Sequence, residues 1–170
     1  NARLAVVGLA PGRMGANRTG RPFTGDFAGV LLFETLLKLG FAHGRYEARP
    51  DDGLQLRDCL ITNAVRCAPP GNKPETAEEN TCRPFLSARL DQMPNLKVIV
   101  TLGDVSRRNV LKALGLKASA GVGGHGSEFK AGPYTVINSY HCSRLNTNTG
   151  RLTPAMFEDI FVRARQLIGA

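Results

Sequence analysis

The stretch KVIVTLGDVSRRNVLKALG, residues 97–115, decides the fold. KVIVTLG is a short apolar run rich in Val and Ile and reads as a buried strand. Asp104 follows at once and can cap the helix DVSRRNVLKALG. The same unit recurs on both sides. Upstream, LAVVG (4–8) reads as a strand, and Asp26 caps a helix running to about Leu39, with Gly40 as its stop. DCLITN (58–63) reads as the next strand. Thr76 and Glu79 stand at capping-box spacing, and the helix they open meets Pro84, which is expected to kink or restart it before it ends near Met93. Downstream, YTVINS (134–139) is a fourth strand, and Thr153 with Pro154 opens a last helix reaching about Ile168. Residues 41–56 read as irregular and charged, and 116–133 as a Gly-rich loop or weak hairpin.

This order predicts one α/β domain over residues 1–170, with a central four-stranded, mostly parallel sheet and helices on both faces. In such sheets the ligand lies beyond the carboxyl ends of the strands. The chain starts at Asn1 and enters a strand almost immediately, so an N-terminal segment is expected to precede it in the intact protein. No apolar run approaches the roughly 20 residues that span a bilayer, and no secretory signal is visible.

Lys and Arg number 22 against 14 Asp and Glu, a net charge of +8. That excess suits a polyanion, because each neutralised phosphate releases condensed counterions. Arg13, Arg18, Arg21, Arg144 and Arg151 sit in turn-rich segments among Gly, Asn and Thr, a setting that suits phosphate handling. The cysteines are Cys59, Cys67, Cys82 and Cys142. Nothing points to export, so disulfides are not expected, and no CxxC pair is present.

Three loops follow strands one, two and four and should converge on one cleft. The first, GLAPGRMGANRTGRPFTGD (8–26), is far longer than the usual two to six residues of a strand-to-helix turn. Its glycines, Gly12 among them, let backbone approach a ligand and offer bare amides, yet it is neither a P-loop nor GxGxxG. Phe23 is its one aromatic and can stack on a base. The second loop begins at Asn63, whose amide pairs a donor with an acceptor, as the imide edge of uracil requires; a strand-ending turn is its plainer role. The third, SYHCSRLNTNTGRLT (139–153), puts His141 directly after a strand, placed to polarise a carbonyl oxygen. Ser143, Arg144, Asn146, Asn148 and Arg151 follow within ten residues and can bond phosphates or probe a minor groove. His43 and His125 lack such company and read as surface residues.

Together these segments resemble the signature motifs of the uracil-DNA glycosylase superfamily, in the iron–sulfur type b, or family five, branch. The sister family four carries an acidic residue early in the first motif, where Leu9 and Ala10 stand here. The resemblance implies a monofunctional glycosylase that flips uracil out of DNA and hydrolyses the N-glycosidic bond, with a wider range that takes in hypoxanthine and other deaminated bases. An abasic site for base-excision repair is left. It implies that Phe23 stacks on the base, with Gly12 beside it, and that Asn63 reads the base edge. His141 then stabilises charge on the leaving base, and Asn17 orients water. Arg18, Ser143, Arg144, Asn146, Asn148 and Arg151 would contact DNA, with Leu145 as the wedge. Cys67 and Cys82 would supply two of four ligands to a 4Fe-4S cluster, the other two lying upstream of this chain. Cys59 reads as core, and Cys142 is given no role.

The expected partner is double- or single-stranded DNA carrying uracil or a deaminated base. The expected state is a monomer with no membrane association, in the cytoplasm of a bacterium or archaeon, beside the nucleoid. Two rival readings stay open. A nucleotide-binding α/β enzyme would bind free nucleotides and ignore DNA. A non-catalytic nucleic-acid-binding module would bind DNA without releasing a base.

Overall fold

A computed structural model describes residues 1–12, 15–66, 73–121 and 123–169, without the side chain of Asn17. Five strands form the central sheet: β1 (Leu4–Gly8), β4 (Cys59–Asn63), β5 (Val98–Leu102), β6 (Glu128–Ala131) and β7 (Tyr134–Ser139). Their order is β4-β1-β5-β7-β6. All neighbours are parallel except β6, which runs antiparallel to β7 at the edge.

The expected count of four strands becomes five because residues 116–133 include β6. Its EFKA sequence buries Ala131 and half-buries Phe129, the alternation of an edge strand with one wet face. The segment 41–56 also has more order than its composition suggested. It forms a small ribbon of β2 (Ala42–His43) and β3 (Gln55–Leu56), set around the buried carboxylate of Asp52.

Alternation along the strands divides the core. Leu4 and Val6 of β1 face one side, with Phe33 and Leu36 of α2 (Phe27–Lys38) and Phe157 and Phe161 of α6 (Pro154–Ile168). Ala5 and Val7 face the other, with Leu86 and Leu90 of α3 (Thr76–Asp91) and Val110 of α4 (Asp104–Ala113). The result is three layers. No helix among the described residues is long and apolar enough to cross a membrane.

The helix starts show where local chemistry sufficed. Asp26 caps α2 by accepting the Gly29 N–H at 3.0 Å, and Thr153 caps α6 by accepting the Met156 N–H at 3.2 Å. Two expectations shift by a residue. In α3 the cap is Glu75, whose N–H bonds Glu78 at 2.9 Å, while Glu79 accepts from Asn109 at 2.7 Å and so ties α3 to α4. In α4 the cap is Gly103 at φ +90°; Asp104 is the first helical residue and holds Arg107 and Arg108. Pro84 does not break α3, which runs unbroken from Thr76 to Asp91. Pro84 and Asn80 are both exposed, so the carbonyl deprived of its helical donor can bond water instead.

Two of the expected loops contain helices. The first carries α1 (Ala16–Thr19) and the third α5 (Arg144–Asn148).

Candidate active site

The carboxyl ends of β1, β4, β5 and the residues after β7 open onto a cleft of about 550 Å³. Phe23, Asn63, His141, Asp26, Gly12 and Arg144 are among its lining residues. Parallel pairing puts Gly8 of β1 beside Asn63 of β4, and the Ala64 and Val65 amides donate to the Gly8 and Leu9 carbonyls. The first two loops are thus joined at the cleft.

Gly8 permits the closest packing in the site. A Cβ there would lie 2.5 Å from the Asn63 side-chain oxygen and 2.6 Å from Cζ of Phe23. Only a bare Cα lets the amide and the ring meet. Phe23 itself has φ +58°, a left-handed conformation costly for a bulky residue. Its carbonyl accepts from the Tyr46 hydroxyl at 3.4 Å and lies directly against Gly29 of α2, where any Cβ would collide with it. The ring is buried except toward the cleft it lines.

Asn63 carries the clearest sign of a missing partner. Its side-chain oxygen is buried and has no hydrogen-bond partner among the described residues. A buried unsatisfied acceptor costs about 1–3 kcal/mol. Such a cost is tolerated where a ligand's donor removes it.

His141 is half-buried at the cleft wall, its ring centroid 6.1 Å from that of Phe23. Burial pushes its pKa down from 6.5 to about 4, so the imidazole is neutral at pH 7. Its backbone is held by Asn146, whose side-chain N–H donates to the His141 carbonyl at 2.9 Å. Asn146 therefore braces the histidine, a task its sequence neighbourhood did not reveal. Ser143 accepts the Asn146 N–H at 3.3 Å and caps α5. His125, read as a surface residue, pins the same segment: Nδ1 accepts the Tyr140 N–H at 3.0 Å, and Nε2 lies 3.1 Å from the Met156 carbonyl. His43 is exposed, as expected.

The arginines divide. Arg144 lies over the Phe27 ring at 5.0 Å, and Arg151 over Tyr140 at 4.5 Å. Arg18, Arg144, Arg151, Asn148 and Leu145 are all exposed, Leu145 by 71 %. Arg21, grouped with the phosphate-handling arginines by its setting, is structural. It makes two bonds to buried Asp52 at 2.9 and 2.8 Å and holds that carboxyl well below its ordinary range. Asn146 and Arg151 line a smaller adjoining cleft of about 390 Å³ that shares Gly103, Asp104 and His141 with the main one.

Asp26 was expected only as a helix cap. It also lines the cleft, and its second oxygen, Oδ2, lies against the bare Cα atoms of Gly12 and Gly15. A Cβ on Gly12 would come within 2.9 Å of that oxygen, so this glycine serves the carboxylate as well as the cleft wall. Desolvation raises the Asp26 pKa.

Cys67, Arg13 and the side chain of Asn17 lie outside the described residues. Cys82 is a half-buried free thiol on α3. Among the described residues, no group of three or more His, Cys, Asp or Glu side chains could hold a metal ion.

Comparison with known proteins agrees with this geometry. The chain matches the family model described as the Uracil DNA glycosylase superfamily over residues 1–165. A relative from Thermus thermophilus, named Type-5 uracil-DNA glycosylase, is 42 % identical over 99 % of this chain and 77 % of its own length. Proteins of the same name from Pyrobaculum aerophilum and Mycobacterium leprae are each 43 % identical, over 96 % and 98 % of this chain and 71 % and 74 % of theirs. A Type-4 uracil-DNA glycosylase from Sulfurisphaera tokodaii is 31 % identical over 98 % of this chain and 70 % of its own. The chain belongs to the uracil DNA glycosylase superfamily, in its type-5 branch.

Proposed function

We propose that this protein is a monofunctional glycosylase that flips uracil out of DNA and hydrolyses its N-glycosidic bond, initiating base-excision repair. The observation that carries the reading is the orphaned side-chain oxygen of Asn63 in a cleft shared with Phe23 and His141. Uracil offers the N3–H that this oxygen lacks and an adjacent carbonyl for the amide N–H₂. Phe23 supplies an apolar plate for the base. As the bond breaks, positive charge grows on the sugar and negative charge on the base. A neutral His141 still has one ring N–H to donate to the uracil oxygen, and the desolvation that keeps it neutral strengthens that bond.

Leu145, exposed on α5 just beyond His141, suits insertion into the base stack vacated by the flipped nucleotide. Arg18, Arg144, Asn148 and Arg151 offer phosphate contacts around it. The proposed range takes in hypoxanthine and other deaminated bases as well as uracil. Asn17 keeps its assignment as a water-orienting group. The reading includes a monomer working on chromosomal DNA in the cytoplasm of a bacterium or archaeon.

The cysteines fit a 4Fe-4S cluster in the intact protein. Arg66, next to Cys67 in sequence, lies 4.5 Å over the ring of Phe85, one helical turn from Cys82. That contact ties the Arg66 side chain to α3 one turn from Cys82. Cys59 and Cys142 are buried in the core, where burial pushes both thiols up, Cys142 to about 12. The two further ligands would lie upstream, as the family resemblance implies. The cluster would act as a staple across the segment between Cys67 and Cys82, and the residues lining the cleft carry the chemistry.

The test is incubation of the full-length protein with a uracil-containing duplex, followed by alkali. Strand cleavage at the uracil is expected, together with a fall of about 10²–10³ in single-turnover rate for His141→Ala. DNA binding with no alkali-labile site would favour a non-catalytic module instead. Binding of free nucleotides with indifference to DNA would favour a nucleotide-handling enzyme.

A further inference from the structure

We propose that Asp26 is a further catalytic residue of this site, its Oδ2 holding the attacking water and taking its proton. The inference rests on the glycosylase reading above. The first loop carries Leu9 and Ala10 where the sister family has an acidic residue, so its sequence offers no carboxylate at that point. The fold supplies one from the far end of the same loop. Asp26 lines the cleft with Asn63, Phe23 and His141.

Its two oxygens are divided between tasks. Oδ1 accepts the Gly29 N–H and caps α2. Oδ2 takes no part in that bond and packs on Gly12 and Gly15, where any side chain would fall on top of it. Two bare Cα atoms thus make room for a carboxylate oxygen that the capping bond does not use. No basic side chain among the described residues neutralises it, and its desolvation makes it a stronger base than an exposed aspartate. The titratable groups around it are His141 and Asp104 in the cleft wall, and Tyr46 and Cys142, which both feel its charge; Arg144 is the cation on the same wall.

In the reaction the C1′–N bond breaks and its electron pair leaves with the base, where His141 bonds the oxygen. The water oxygen forms the new C1′–O bond, and its proton passes to Oδ2 of Asp26. That proton then leaves for the base anion or for solvent, which restores the carboxylate. Before attack, the same negative charge faces the developing oxocarbenium ion.

Asp26→Asn separates catalysis from structure, because Asn caps helices as well as Asp does. Single-turnover excision from a uracil duplex should fall about 10²–10³-fold. The affinity for a duplex carrying an abasic site and the Tm should stay near those of the parent. Asp26→Ser, a second capping residue without a carboxylate, should lose rate to the same extent. A rate within threefold of the parent in either variant overturns the proposal, as does a loss of rate matched by equal losses of affinity and Tm in both. Failure of the parent itself to release uracil would instead sink the glycosylase reading and this proposal with it.

Discussion

Gly8→Ala adds one methyl group at the point where the Asn63 amide and the Phe23 ring converge. β1 holds Gly8 in register with Asn63, and its backbone needs no positive φ, so alanine suits the strand itself. The new carbon would sit 2.5 Å from the Asn63 oxygen, and 2.6 and 2.8 Å from Cζ and Cε2 of Phe23. Reaching ordinary contact near 3.4 Å requires a retreat of roughly 0.8–0.9 Å by the amide, the ring or both. Phe23 has little freedom to yield, since its left-handed backbone is fixed by Tyr46 and Gly29. Overpacking of this kind costs about 1–3 kcal/mol, a few degrees of Tm in a chain of this size. The catalytic cost is larger in proportion, because a misplacement of about 1 Å can lower a rate about 10²-fold. Single-turnover excision of uracil, followed by alkaline strand cleavage well below the Tm, should therefore slow about 10²-fold. Binding to an abasic-site duplex should change little. A Gly8→Ala variant that excises within threefold of the parent would refute the claim that Gly8 sets the distance between ring and amide.

Acid stability tests the neutral state of His141. The unfolded imidazole takes a proton near its ordinary 6.5, whereas the folded one refuses it until about 4, so stability falls as pH drops through that window, by up to about 3 kcal/mol. His141→Gln should remove this component, and the Tm difference between pH 7 and pH 4.5 should shrink; melts with an unchanged difference would show that burial does not hold the histidine neutral. Leu145→Ala should leave Tm unaltered, because the side chain is 71 % exposed. It should slow excision from duplex DNA about tenfold, or ~1.4 kcal/mol of the few that base flipping costs, and leave single-stranded substrate unaffected. Equal slowing on both substrates would remove the wedge role.

By itself, the sequence determined the layered α/β fold and the neighbourhood of the site. Strand and helix periods, the caps Asp26 and Thr153, and three long polar loops after strands one, two and four are local signals. They remain readable because each depends on residues a few positions apart. Tertiary structure decided what those signals left ambiguous. A guanidinium in a polar loop suits phosphate and carboxylate equally, and only the approach of Asp52, 31 residues away, makes Arg21 structural. An Asn after a histidine reads as a DNA contact, and only the turn of α5 shows that its amide also braces the His141 carbonyl. The edge strand β6 has no periodicity strong enough to stand out from its glycines, and pairing with β7 makes it a strand. Asp26 shows the limit most directly. Its capping bond spans three residues and is local, whereas its place in the cleft wall depends on how the loop folds Gly12 and Gly15 against its other oxygen. Sequence conveys which groups are present, but the free energy of a polar group depends on what surrounds it, and those surroundings are assembled only when distant segments pack.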